Sequence, residues 1–149
     1  AHPAATSEPG RRRINDIDRL TLMFQKEVGD RLTAAPGSKT YGRLSVVTQW
    51  LCETQHEFNV SNTAFMPPPK VASSVVTLFP RPEPLALASW PALEAVTAAA
   101  FGQRRKMLRA SLRKLGLNPA ALGLNPAARA EDLDVKEFCV LARAFAKIS

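Results

Sequence analysis

Residues 81–91, RPEPLALASWP, constrain this chain more than any other stretch, because the prolines at 82, 84 and 91 interrupt any helix or strand that reaches them. The pattern differs on the two sides of this break. Before it, IDRLTLMF is short, apolar and closed by Phe24, as suits a buried strand. From Lys26 the period changes. Phe24, Val28 and Leu32 recur at i, i+4 and Glu27 is placed to pair with Arg31, which predicts a helix stopping near Pro36-Gly37. After the loop GSKTYG, Leu44, Val47 and Leu51 mark a second amphipathic helix. TQHEFNV and VASSVVTLFP then read as two strands, separated by a SNTAF turn and the stiff run PPPK.

Beyond the break every pattern is helical. Leu93, Val96, Ala100 and Phe101 open the first helix and QRRKMLRASLRK continues the helical spacing. Asp134, with Glu137 three residues later, starts a final helix whose inner face is Val135, Phe138, Ala142 and Phe145. The heptapeptide LGLNPAA occurs at Leu115 and again at Leu122, too few copies for a solenoid, and reads as two turns joining helices. The expected organisation is therefore a tail or linker at 1–16, a strand-and-helix part at 17–80, a linker at 81–90 and an all-helical part at 91–149. Three strands and two helices are few for a sheet covered on both faces. The first part reads as the second half of a larger α/β domain.

Charge narrows the partners. Twenty Lys and Arg against 13 Asp and Glu give a net charge of +7, which favours a polyanion. With 46% apolar and 22% charged residues the chain is ordinary for a globular core, which excludes a disordered chain, collagen, a disulfide scaffold and an acidic buffer protein. No apolar stretch approaches the roughly 20 residues that span a bilayer and no basic-then-apolar leader opens the chain, so a soluble, cytoplasmic protein is expected. Cys52 and Cys139 fall in apolar helical patterns and read as reduced core thiols. Together with His2 and His56 they do not supply a zinc site at workable spacing. No metal is expected.

Two segments carry chemistry. Residues 103–114 contain Arg104, Arg105, Lys106, Arg109, Arg113 and Lys114 and no acid. On a continuous helix Phe101, Leu108, Leu112 and Leu115 cluster within about 60°, and Arg105, Lys106, Arg109 and Arg113 occupy the adjoining arc of about 100°. Such a stripe suits phosphates, each neutralised phosphate releasing counterions. The alternative is a solvated helix face, but uncompensated like charges at i, i+4 destabilise a helix. The second segment is Phe65-Met66-Pro67-Pro68-Pro69-Lys70. Its prolines hold the backbone extended with Phe65 on the leading end, beside Lys70. A rigid aromatic next to a cation can stack on a splayed base and meet its phosphate. The plainer reading is a proline-rich connector with Phe65 in the core.

FMPPPKVASSVV resembles the F-x-P-P-P-K-V-x-S-x-V-V motif of the ribosomal RNA adenine dimethyltransferases. LTLMFQKEVGDRL, GSKTYGRLSVVTQ, AAFGQRRKMLRASL and NPAARAEDLDVKEFCVLARAF resemble further segments of that family in the same order, so the resemblance spans roughly residues 18–148. It implies an α/β fold: the C-terminal part of a Rossmann-like, S-adenosylmethionine-dependent methyltransferase domain followed by a small all-helical domain. The implied reaction is dimethylation of N6 on two adjacent adenosines of small-subunit (16S) ribosomal RNA, by a monomer acting on that RNA, the small subunit or its precursor. By the same resemblance Phe65 stacks on the flipped adenine and Lys70 lies at the mouth of its pocket. Arg104, Arg105, Lys106, Arg109 and Arg113 grip RNA. Gln25, Lys26, Glu27 and the Tyr41-Gly42-Arg43 turn match family positions with a structural or RNA-proximal role.

The family's cofactor machinery has no match. No glycines are spaced G-x-G, and Asn15 is followed by Asp16 rather than by the Leu-Pro-Tyr that completes the family's N-L-P-Y motif. The stretch thus resembles the C-terminal half of such an enzyme, with no cofactor-binding residue of its own. The other functions weighed are a non-catalytic RNA-binding or ribosome-assembly module, and a large-subunit RNA methyltransferase of the antibiotic-resistance type. DNA binding ranks below both, since no recognition helix with base-reading Asn or Gln stands out.

Overall fold

The computed structural model describes residues 17–149. The tail expected at 1–16 falls outside them. Strand β1 (Leu20–Gln25) runs directly into helix α1 (Lys26–Leu32). Helix α2 (Arg43–Leu51) leads into β2 (Cys52–Val60), and β3 (Ser73–Pro80) closes the first part. The sheet order is β1-β3-β2, with β3 antiparallel to both neighbours. Leu20 faces Leu78 and Gln25 faces Ser73, while Cys52 faces Pro80 and Val60 faces Ser73, with a bulge between His56 and Phe58.

Glycine sets how α1 meets the sheet. A Cβ on Gly29 would lie 2.6 Å from the Ser74 Cβ, a contact that side chains do not make. The helix lies on β3 only because position 29 has no side chain. Gly29→Ala is expected to lower stability by about 1–3 kcal/mol through the overpacking it forces, read as a lower midpoint in urea unfolding. An unchanged midpoint would mean that α1 yields freely.

α1 ends at Leu32, earlier than the Pro36-Gly37 stop expected from sequence. The reason is tertiary: the Gln49 amide of α2 donates to the carbonyls of Leu32 at 3.0 Å and Ala34 at 2.8 Å, satisfying acceptors that the helix end leaves open. α2 also turns a different face inward. Val46 and Trp50 are buried with Ser45, whereas Leu44, expected inside, is exposed. Cys52, expected within a helical pattern, is the first residue of β2.

Residues 81–89 form neither helix nor strand and cap the end of α2. Arg81 Nε donates to the Gln49 carbonyl (3.1 Å), and the Arg81 and Leu85 amides donate to the carbonyls of Leu51 and Trp50 (2.8 Å each). Trp50 Nε1 returns a bond to the Ala86 carbonyl at 2.8 Å. The proline-rich stretch therefore takes up carbonyls that α2 cannot pair internally.

Helix α3 (Trp90–Gly102) is capped by Ser89, whose Oγ accepts from the Ala92 amide. The continuous helix expected through residues 103–114 is broken. α3 stops at Gly102, a turn follows, and α4 spans only Leu108–Ser111 before a single 3-10 turn at Arg113–Leu115. The break lets Ala100 and Leu108 enter one core, and the α4 amides of Leu108 and Arg109 donate to the carbonyls of Ala128 and Pro126. The two LGLNPAA copies are turns of one design. Gly116 and Gly123 have φ of +74° and +80°, and Asn118 and Asn125 Oδ1 accept from the amides of Ala120 and Ala127. Helix α5 (Val135–Ile148) begins with the expected reciprocal cap between Asp134 and Glu137. It buries Val135, Phe138, Cys139, Leu141 and Ala142.

One cluster of buried side chains joins the two parts. Tyr41, Val46 and Trp50 pack with Leu93, Val96, Leu108, Phe138 and Leu141.

Candidate nucleic-acid interface

The β2–β3 connection is braced at its base from three sides. Ser73 pairs with both Gln25 and Val60, and the Lys26 amide at the start of α1 donates to the Ala72 carbonyl at 2.9 Å. Ser74 Oγ donates to Asn59 Oδ1 at 3.0 Å. Ser61 caps a short 3-10 turn at Asn62–Ala64, accepting from the Thr63 amide. Phe65 follows in extended conformation and half-buried, Met66 is 95% exposed, and Lys70 is exposed. Met66-Pro67 is a cis peptide bond. A half-buried ring at the head of such a loop keeps apolar area open for a flat partner, with a cation five residues on.

The basic residues divide into two kinds. Arg105, Lys106, Arg109, Arg113 and Lys114 are exposed, and none pairs with an acid among the described residues. They follow α3 along the chain, on the turn after Gly102, on α4 and on the 3-10 turn at Arg113–Leu115. Arg104 is different. Its guanidinium donates to the carbonyls of Lys39 at 3.0 Å and Tyr41 at 2.7 Å, lies 3.8 Å from Glu131 and sits over the Phe101 ring. Its contacts tie the loop at 38–43 to the helical part.

That loop is where sequence reasoning saw least. An open cleft of about 580 Å³ lies between α1, the loop and the end of α3, lined by Glu27, Arg31, Lys39, Arg43 and Arg104 among others. The sequence signals here were the GSKTYGR segment, which contains Lys39 and Arg43, the Glu27–Arg31 spacing and the basic run that begins at Arg104. Nothing in the sequence indicated that these segments meet around one cleft, since they lie far apart in the chain.

The described residues do not fit S-adenosylmethionine. The passage from β1 to α1 at Gln25-Lys26 contains no glycine, and the positive-φ glycines Gly37, Gly116 and Gly123 lie elsewhere in loops. No glycine cradle opens behind a strand here. Among the described residues no group of three or more His, Cys, Asp or Glu could hold a metal ion, and no helix is long and apolar enough to cross a membrane.

The cysteines are free thiols, half-buried for Cys52 and buried for Cys139. Burial pushes the Cys139 thiol up to about 11, tempered by Arg143 and reinforced by Asp134. Burial, with Asp134 and Glu137, raises the Tyr41 hydroxyl as well, and that hydroxyl has no hydrogen-bond partner among the described residues. Both groups are held in their neutral forms, so their contribution to stability is complete below the unfolded pKa values and is lost as pH rises through the folded ones. Stability is expected to fall between about pH 9 and pH 11. Native Cys139 is expected to resist alkylation at pH 8, checked by mass spectrometry after iodoacetamide.

The model of the family "Ribosomal RNA adenine dimethylase" matches residues 12–147. The chain is 61% identical over 136 residues to "Ribosomal RNA small subunit methyltransferase A" of Rhodospirillum rubrum, covering 89% of this chain and 47% of that protein. It is 60% identical to the protein of the same name from Paramagnetospirillum magneticum, covering 89% and 48%. The chain thus spans about half the length of the curated relatives it matches. Among solved structures, a dimethyladenosine transferase from Plasmodium falciparum superposes with a TM-score of 0.73 at 25% identity, over 87% of this chain and 57% of that one. The 23S rRNA methyltransferase ErmE shares the fold, with a TM-score of 0.58 at 24% identity over 88% and 56%. A sheet ordered β1-β3-β2 followed by packed helices, the FMPPPK loop braced at α1 and a match along nearly the whole chain agree: this chain belongs to the ribosomal RNA adenine dimethylase family.

Proposed function

We propose that the intact protein containing this chain transfers two methyl groups from S-adenosylmethionine to N6 of each of two adjacent adenosines in small-subunit ribosomal RNA. The donor would be held by a portion of the protein beyond this stretch. The observation that carries the reading is the Phe65 loop, anchored at its base by β2, β3 and the start of α1 with its aromatic half-open. In this reading Phe65 stacks on the target adenine once it leaves its helix, which recovers part of the unstacking energy. Lys70 contacts a phosphate at the pocket mouth. Arg105, Lys106, Arg109 and Arg113 hold the RNA or the small subunit electrostatically. The division at residues 81–90 separates the base-holding part from the RNA-gripping part. The protein acts as a cytoplasmic monomer.

The test supplies the intact protein with methyl-labelled S-adenosylmethionine and unmethylated ribosomal particles. Label recovered as dimethyladenosine in small-subunit RNA is expected. Label confined to large-subunit RNA would transfer the protein to the antibiotic-resistance type, and tight RNA binding without any label would leave a non-catalytic assembly module.

A further inference from the structure

Five charged side chains converge on the cleft between α1, the 38–43 loop and the end of α3. Four are cations, Arg31, Lys39, Arg43 and Arg104, and one is an acid, Glu27. Their charges are not equally available. Arg31 is paired with Glu27 at 2.6 Å. Arg104 donates from one terminal nitrogen to the Lys39 and Tyr41 carbonyls, and its Nε faces Glu131 at 3.8 Å. Lys39 and Arg43 remain, both exposed and with no acid paired to them among the described residues. They stand on either side of the Tyr41 carbonyl that Arg104 grips, while Ser45 Oγ holds the Gly42 amide at 3.1 Å. Two free cations, Lys39 on the tethered loop and Arg43 on the first turn of α2, make a low-entropy receptor for anions.

The position of the cleft indicates which anion. At one end, α3 leads within a few residues to exposed Arg105 and Lys106. At the other, α1 runs back to the Lys26 amide, which bonds the base of the Phe65 loop. The cleft therefore bridges the free cations of the helical part and the loop carrying Phe65. A long polyanion touching both ends would cross it, whereas a mononucleotide would not need it.

We propose that this cleft is a further phosphate-binding site on the RNA path, in which Lys39 and Arg43 contact the sugar-phosphate backbone and Arg104 is a positioning residue that fixes their loop. This rests on the RNA-binding reading above.

The experiment measures affinity of the intact protein for a labelled small-subunit RNA hairpin across a KCl series. Lys39→Ala with Arg43→Ala is expected to weaken binding by about 10-fold or more near 0.1 M salt and to reduce the salt slope by about 2, with an unchanged melting temperature. Lys39→Arg with Arg43→Lys keeps both charges and should bind like the parent. Arg104→Gln should weaken binding while amide hydrogen exchange at Thr40 and Tyr41 speeds up. A slope smaller by about one with unaltered exchange would instead make Arg104 a direct phosphate contact. If the Lys39 and Arg43 variant binds normally while Arg105→Ala with Lys106→Ala weakens binding, the cleft assignment falls alone. If neither pair affects binding, or the parent binds no RNA, the RNA-binding reading falls with it.

Discussion

Replacing Phe138 with alanine is expected to lower stability by about 3–5 kcal/mol and the melting temperature by roughly 10 °C. Phe138 is fully buried in α5, and its ring centroid lies 5.3 Å from that of Phe101 in α3. Phe101 in turn meets Tyr41 edge-on at 5.9 Å. The three rings tie α5, α3 and the 38–43 loop into one stack, so truncation leaves a cavity that no single element can close. Because Tyr41 belongs to the strand-and-helix part, the loss should appear as one cooperative transition at lower denaturant rather than as separate melting of the helices. A loss below about 1 kcal/mol would mean that the stack repacks around the gap.

The second large effect is chemical. Phe65→Ala in the intact protein is expected to reduce methyl transfer by roughly 100-fold or more, since a base that is not held flat is not presented to the donor. RNA affinity should stay close to that of the parent, because the substitution leaves every cation in place. Melting temperature should change little: Phe65 is half-buried and the loop base is held by backbone bonds that the substitution leaves in place. Phe65→Tyr keeps a flat ring and should retain most of the activity. Full turnover by the alanine variant would remove the stacking role and leave Phe65 as packing for its own loop.

Arg104 changes how charge experiments on the basic residues are designed. Reversing Arg104, Arg105 and Lys106 together would mix loss of phosphate contacts with release of the 38–43 loop, since Arg104 holds two carbonyls of that loop. Reversal of Arg105, Lys106 and Arg109 isolates the electrostatic part, because these three are exposed and unpaired among the described residues.

Local chemistry was legible in the order of the residues. Alternation and short apolar runs marked β1, β2 and β3. The Asp134–Glu137 pair announced the start of α5, and the asparagines and glycines of LGLNPAA announced two turns. These features depend on groups a few residues apart, so spacing alone specifies them. The motif around Phe65 was legible too, as a family resemblance that the match over residues 12–147 bears out.

What distant contacts decide was not legible. A helical wheel drawn through residues 103–114 has no means of knowing that Ala128 and Pro126 supply carbonyls to a new helix start, so the break at Gly102 was missed. Residues 81–90 read as a linker because the partners of Arg81 and Leu85, the carbonyls at the end of α2, lie some 30 residues earlier. Arg104 looked like its basic neighbours until the fold placed the Lys39 and Tyr41 carbonyls beside it. In the fold a cationic side chain is paired with a carboxylate, as Arg31 is with Glu27, tied to backbone carbonyls, as Arg104 is, or left free for a ligand. Residue order was enough for the three strands, the start of α5 and the family. Tertiary structure alone decided which cations are free, because that depends on long-range hydrogen bonds that no local period encodes.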